Sequence, residues 1–168
     1  YLCAAGICFI VLAGVLRECR RRKIVPRFGA MPDLLAQLDM VALATVCDVV
    51  PLQDVNRAIV KQGLKILAMR RNVGLRILCD ISGLASVPTT HTLGFLLGPR
   101  INAGGRLGES DLGIQLLTAQ DPDIAGSLAL RLDKLNQERR QTEQAVHFQA
   151  EALADEALRE NPLCPVLI

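Results

Sequence analysis

Aromatic residues are scarce in this chain, and tryptophan is absent. Aromatic side chains make up 3% of the 168 residues, whereas hydrophobic residues of all kinds make up 51%. Any core must therefore be built from Leu, Ile, Val and Ala, a composition that favours helices. The length is sufficient for one domain with a substantial core.

The spacing of a zinc site is also missing. The six cysteines form no Cys-x-x-Cys pair, and the two histidines, His91 and His147, stand apart from each other. A structural zinc site is therefore not expected. Most of the cysteines lie among Leu, Val and Ala, as reduced, buried thiols do, and this pattern predicts a cytoplasmic protein.

A large excess of charge of one sign is lacking as well. The net charge is +2, which is too small to indicate nucleic-acid binding by itself, so any contact with a polyanion must come from a local patch. One such patch is the stripe Arg57, Lys61 and Lys65, which recurs every four residues on a predicted helix. A stripe of this kind either faces water or follows a nucleic-acid backbone, and the sequence leaves both alternatives open.

Residues 1–16 carry no charge, and a basic segment follows at 17–23. Sixteen residues rise about 24 Å as a helix, and a membrane span needs about 20 residues. We therefore predict a helix that is buried in the core of a soluble protein. A membrane or signal segment is the alternative, because basic residues flank one end.

The stretch 98–108 (GPRINAGGRLG) differs most from ordinary core sequence. Gly104 and Gly105 permit a positive φ and the close approach of a ligand, while Arg100 and Arg106 carry forked donors that suit phosphate oxygens. Asn102 adds an amide that donates and accepts. These residues predict a loop that grips an anion, most simply a phosphodiester. The alternative is the end of a helix followed by a solvated turn.

An aspartate lies at the end of the helix predicted from Asp33 to about Val50. Asp48 lies between Val46-Cys47 and Val49-Val50, which predicts a buried carboxylate that needs either a cationic partner or a metal ion. Asp39 precedes it by nine residues and therefore lies on the opposite face of the helix. The two aspartates cannot bind one ion from a straight helix.

A very long helix is predicted near the end of the chain. Asp121 and Pro122 suit the N-cap and the first helical position, and apolar residues recur at helical spacing to about Arg159. Such a helix reaches roughly 57 Å, longer than a small domain, so we expect it to bridge two domains.

Three blocks of sequence carry a resemblance to a known family. Residues 38–52 (LDMVALATVCDVVPL) resemble the fourth motif of the DHH phosphoesterase superfamily. Residues 94–107 (GFLLGPRINAGGRL) resemble the next block of its exonuclease branch for single-stranded DNA, and 135–140 (LNQERR) resemble the interdomain helix of that branch. The chain departs from the family where Ala44 replaces a frequent Gly and Cys47 a frequent Ala; both residues are small.

The resemblance implies an α/β phosphoesterase that uses two Mg²⁺ or Mn²⁺ ions to activate water against a phosphodiester. It implies that Asp48 is the last metal-binding aspartate, and that Arg100, Asn102 and Arg106 contact the substrate phosphate or support the active site. The remaining ligands of the family would precede Tyr1. The fold class expected is a mainly α-helical fragment of an α/β protein, the C-terminal part of a DHH domain followed by a long interdomain helix.

The expected organisation has three parts. Residues 1–119 would be the C-terminal part of the DHH domain, 120–160 the connecting helix, and 161–168 the start of a DHH-associated domain. Taken alone, the fragment would bind Mn²⁺ weakly and be inactive. Without the sheet that it should cover, its first helix would expose apolar surface.

The function expected of the whole protein is metal-dependent 5′-to-3′ hydrolysis of single-stranded DNA in repair and recombination. Single-stranded DNA is the expected partner, and binding to a membrane is not expected. Two alternatives remain open from the sequence. One is a DHH phosphodiesterase for small nucleotides, and the other is a helical nucleic-acid-binding module with no chemistry of its own.

Overall fold

The computed structural model describes residues 1–27, 29–106 and 108–161, and for Arg106 it describes the backbone only. The chain is 74% helical and has no strand in the described ranges, which confirms a mainly helical fold. The helices are α1 Ala4–Arg21, α2 Leu38–Cys47, α3 Asp54–Ala68, α4 Val73–Ile81, α5 Gly98–Arg106, α6 Leu112–Thr118 and α7 Pro122–Glu160. A 3₁₀ turn, Leu35–Gln37, precedes α2, and a π-helical turn, Thr92–Leu97, leads into α5.

The long helix begins and ends where the sequence predicts. Asp121 caps α7, since its carboxylate accepts hydrogen bonds from the backbone N–H groups of Asp123 at 2.8 Å and Ile124 at 3.3 Å. The first half of α7 packs against α4, α5 and α6. Beyond Asn136 its described residues are exposed or only partly buried, so the second half extends away from the core.

The core is aliphatic, as the composition requires. It joins α2, α3, α4, α6, α7 and the π-helical turn, and its fully buried leucines are Leu75, Leu78, Leu93, Leu97, Leu116 and Leu132. Helices α2 and α3 approach closely because Gly63 has no side chain. A Cβ at that position would overlap the backbone carbonyl of Leu38 and the side chain of Ala42.

The first helix forms as predicted, but its predicted burial is wrong for this chain. Ile7, Val11 and Val15 lie on one helical stripe and are 53%, 58% and 51% exposed. Only the side facing α2 is covered, where Phe9 packs against a small cluster that includes Leu38. The exposed stripe agrees with the expectation for residues 1–168 taken alone. None of the described helices has both the length and the apolar character needed to cross a membrane.

The arginine- and glycine-rich stretch is a helix, and the loop predicted there is wrong for 98–106. Helix α5 continues directly from the π-helical turn, and Pro99 is its second residue. Gly104 serves packing rather than a positive φ, because a Cβ there would lie 2.6 Å from the Glu109 carbonyl. Gly108, just after the helix, does adopt a positive φ of 86°.

Candidate functional site

Asp48 lies at the C-cap of α2, where its backbone N–H donates to the Ala44 carbonyl at 2.9 Å. Its side chain is exposed, so the buried carboxylate predicted from its apolar neighbours is not found. The chain leaves the helix here, with Val49 at a φ of 54°. The buried aspartate of α2 is Asp39, 3% exposed, and burial raises its pKa.

The loop that follows Asp48 is tied down by a residue that the sequence analysis missed. Asn56 is fully buried and donates from Nδ2 to the Pro51 carbonyl at 2.9 Å and to the Tyr1 carbonyl at 3.0 Å. One amide thus joins the start of the chain, the loop after Asp48 and helix α3. An asparagine early in a helix gives no sequence signal for this role, because both acceptors are backbone groups elsewhere in the fold.

The end of α2 packs closely against two glycines. Gly94 and Gly98 lie four residues apart, and a Cβ at Gly98 would overlap Cys47 Sγ, while a Cβ at Gly94 would lie 3.3 Å from Val46 Cγ1. The Cys47 thiol donates to the Leu93 carbonyl at 3.8 Å. Burial, with a smaller effect from the Asp48 charge, raises the pKa of Cys47 to about 11, so this thiol stays protonated.

A cleft opens beside this contact. It has a volume of about 160 Å³ and is lined by Cys47, Gly94, Gly98, Pro99, Asn102 and Arg139. Asn102 lies one helical turn after Gly98, on the same side of α5. Asp48 is next in the chain to a lining residue, so the fold brings the C-cap of α2, the amide of Asn102 and a cation of α7 to one place.

Arg100 is placed differently from Asn102. Its Nε donates to Asp133 Oδ1 at 2.8 Å and its Nη1 to the Leu96 carbonyl at 2.7 Å. Both side chains of the ion pair are less than one-fifth exposed. Arg100 therefore fastens α5 to α7, and it is not among the described residues that line the cleft.

Arg106 is the last residue of α5, and its side chain lies outside the described part of the structure. No group of three or more His, Cys, Asp or Glu able to hold a metal ion occurs among the described residues. Asp48 fits a metal site as one exposed oxygen donor, and the other donors of such a site are not found in the described part of this chain.

The cationic stripe on α3 is exposed, as expected. Arg57 and Lys61 border an apolar depression of about 430 Å³ whose other lining residues are Leu52, Val60, Leu64 and Thr90. No ion pair of Arg57, Lys61 or Lys65 occurs within the described ranges. The stripe is thus available to solvent or to a polyanion.

The chain is similar to proteins of one kind, exonucleases specific for single-stranded DNA. It is 39% identical over 170 residues to the RecJ exonuclease of Dickeya dadantii, covering 98% of this chain and 29% of the relative. It is 39% identical to that of Escherichia coli, covering 81% of this chain and 24% of the relative. The chain thus spans less than a third of the curated relatives that it matches. No protein-family model matches it.

Solved structures give the same result. The Mg²⁺ complex of RecJ from Thermus thermophilus matches 71% of this chain and 19% of its own, with a TM-score of 0.67 and 35% identity. A manganese-bound exonuclease RecJ matches 77% of this chain and 32% of its own, with a TM-score of 0.66 and 35% identity. Fold and sequence thus match one segment of these longer proteins. The family is RecJ, and the chain belongs to it as one segment of a longer protein type.

Proposed function

We propose that this chain is part of a metal-dependent exonuclease that hydrolyses single-stranded DNA in the 5′-to-3′ direction. The observation that carries the proposal is the position of Asp48 in a chain of RecJ type. Asp48 is exposed at the end of α2, before a loop fixed by Asn56, and it directly follows Cys47, which lines the cleft that holds Asn102. An exposed carboxylate on a fixed loop is suited to bind a metal ion shared with a substrate phosphate.

The proposal gives each candidate site residue a role. Asp48 would hold one of two Mg²⁺ or Mn²⁺ ions, which when bound lower the pKa of water and neutralise phosphate charge. Asn102 would bind the substrate from the cleft, and Arg106 would contact its phosphate. Arg100 would support the site by holding α5 against α7, since its donors already bind Asp133 and Leu96.

The same proposal assigns the parts of the chain. Residues 1–119 would complete the C-terminal part of a DHH domain, and 120–160 would connect it to a DHH-associated domain that begins at 161–168, a segment that apart from Asn161 lies outside the described residues. The five described cysteines are free thiols, which agrees with a cytoplasmic enzyme. Repair and recombination of DNA are the processes that such an activity serves.

Replacing Asp48 with Ala in the full-length protein tests the proposal. We expect Mn²⁺-dependent release of nucleotides from a single-stranded oligonucleotide to be lost, because a metal ligand is removed. The thermal unfolding midpoint should be nearly unchanged, because the side chain is exposed. Asp123→Asn, an exposed carboxylate in the first turn of α7, is the control and should keep full activity. Wild-type turnover in the Asp48→Ala protein would refute the assignment of Asp48 as a metal ligand, whereas wild-type protein that binds single-stranded DNA without cleaving it would favour a binding module without chemistry.

A further inference from the structure

The cleft beside α5 contains a cation whose hydrogen bonding is incomplete. Arg139 lines the cleft together with Asn102, and its Nε is buried without an acceptor among the described residues. Among the described residues its one hydrogen-bond partner is Glu143, which accepts from Nη1 at 2.7 Å. A buried donor left without an acceptor is unfavourable. The contacts of the described chain thus satisfy only part of this guanidinium.

The partner that Arg139 does have holds it weakly. The Glu143 side chain is 68% exposed, and the pair is an i,i+4 contact on the surface of one helix. Exposed pairs of this kind gain little, because water screens the attraction and both side chains lose freedom. Arg139 can therefore exchange Glu143 for a stronger acceptor at small cost.

A second polar group on the same face of α7 is also incomplete. Asn136 lies one turn before Arg139 and is 4% exposed, and its Oδ1 has no donor among the described residues. On the other side, Arg139 borders a shallow depression of about 280 Å³ that is also lined by Arg140 and His147. Arg139 thus lies where the cleft meets a surface carrying a further guanidinium.

We propose that Arg139 binds a backbone phosphate of single-stranded DNA, and that the α7 face of Arg139 and Arg140 carries the strand to the cleft lined by Cys47 and Asn102. This inference rests on the proposed nuclease function and adds a strand-binding residue to it. A phosphate oxygen is charged, accepts several hydrogen bonds and matches the planar donors of arginine. Without DNA, Arg139 binds Glu143, and the phosphate replaces Glu143 when DNA binds.

The test measures binding of the full-length protein to a 20-nucleotide oligothymidine labelled at its 3′ end, by fluorescence anisotropy in EDTA. Arg139→Ala should weaken binding about tenfold or more, the loss expected for a charged hydrogen bond. The slope of log K against log salt concentration should decrease by about 0.7, the value for one phosphate contact on a single strand. Arg139→Lys should recover part of the affinity, because charge returns without the fork. In Mn²⁺ the same variants should raise KM more than they lower kcat.

Glu143→Gln separates this role from a structural one. If Glu143 competes with DNA for Arg139, its neutralisation should tighten binding several-fold. If Arg139 serves only to stabilise α7 through Glu143, the two variants should weaken binding together, and the inference would be wrong. Lys134→Ala removes one positive charge from the exposed surface of α7, away from the cleft, and is the matched control for charge alone. It should change affinity less than twofold.

The failure of this inference differs from the failure of the proposed function. Wild-type protein that neither binds nor cleaves single-stranded DNA would overturn both. Wild-type protein that cleaves normally, with Arg139→Ala matching it in affinity and in salt dependence, would overturn the role of Arg139 alone.

Discussion

Adding one methyl group at Gly98 should disturb the contact that places Asp48. In the folded chain a Cβ on Gly98 would overlap Cys47 Sγ and lie 2.9 Å from the Leu93 carbonyl oxygen. The cysteine sulfur can avoid the new methyl group by rotating, which breaks its hydrogen bond to the Leu93 carbonyl, or by a shift of α2. The Leu93 carbonyl itself belongs to the π-helical turn. Asp48 is the residue after Cys47, so a shift of α2 that relieves the overlap also moves the proposed metal ligand.

Two opposing effects set the magnitude of the change. Overpacking a closely packed contact costs about 1–3 kcal/mol, and the backbone carbonyl places Gly98→Ala toward the upper part of that range. Alanine in a helix is more favourable than glycine by about 0.5–1 kcal/mol. The net destabilisation of Gly98→Ala should therefore be about 1–2 kcal/mol.

Gly105 supplies a matched control on the same helix. It is exposed, and a Cβ there would meet nothing within 4 Å. Gly105→Ala should therefore gain the higher helix propensity of alanine without overpacking. The difference in stability between the two variants thus isolates the overpacking term. Urea unfolding of the full-length protein, followed by circular dichroism, measures it. The rate of DNA cleavage should decrease in Gly98→Ala and stay unchanged in Gly105→Ala.

A rescue variant tests the cause. Cys47→Ala removes the sulfur that the new methyl group meets and leaves the Leu93 contact, so it should restore part of the stability lost in Gly98→Ala. Equal stability of Gly98→Ala and Gly105→Ala would show that Gly98 is not in close contact with α2 and that it does not position Asp48.

Two further predictions concern the ion pair and the chain by itself. Arg100→Lys should lower the free energy of unfolding by about 1.5–3 kcal/mol, because a lysine cannot bind Asp133 and the Leu96 carbonyl together. A double-mutant cycle with Asp133→Asn in urea unfolding should show coupling between the two sites, and additive effects would contradict the pairing. Residues 1–168 purified alone should bind Mn²⁺ weakly, release no nucleotides from single-stranded DNA, and associate through the exposed stripe of α1. A nuclease assay with Mn²⁺ and the molar mass from light scattering measure both; metal-dependent cleavage by this segment would show that the site is complete without further ligands.

Local sequence was sufficient for the helices whose ends are set by neighbouring residues. The capping carboxylate of Asp121 and the fixed φ of Pro122 start α7 without help from the rest of the fold, and apolar spacing carries it to Glu160. The family resemblance was likewise contained in short blocks of sequence. The roles of Asp48, Arg100, Asn102 and Arg106 that follow from it remain proposals.

Burial could not be read from neighbours in the sequence. Asp48 has apolar residues on both sides and is exposed, because the helix ends at that residue. Asp39 has similar surroundings and is buried, because its face of α2 points inward. The difference depends on which face of the helix meets a neighbour, and this is a property of the packed structure.

The sequence by itself determined that the chain is helical, aliphatic in its core and of RecJ type. Only the tertiary structure decided what its glycines and arginines do. Glycines and arginines between apolar helices suit a phosphate-binding loop as well as they suit a packed helix. Local sequence cannot show that Gly98 packs against Cys47 or that Arg100 binds Asp133. Those partners lie in α2 and α7, and the packing of helices that are distant in the chain brings them into contact with α5.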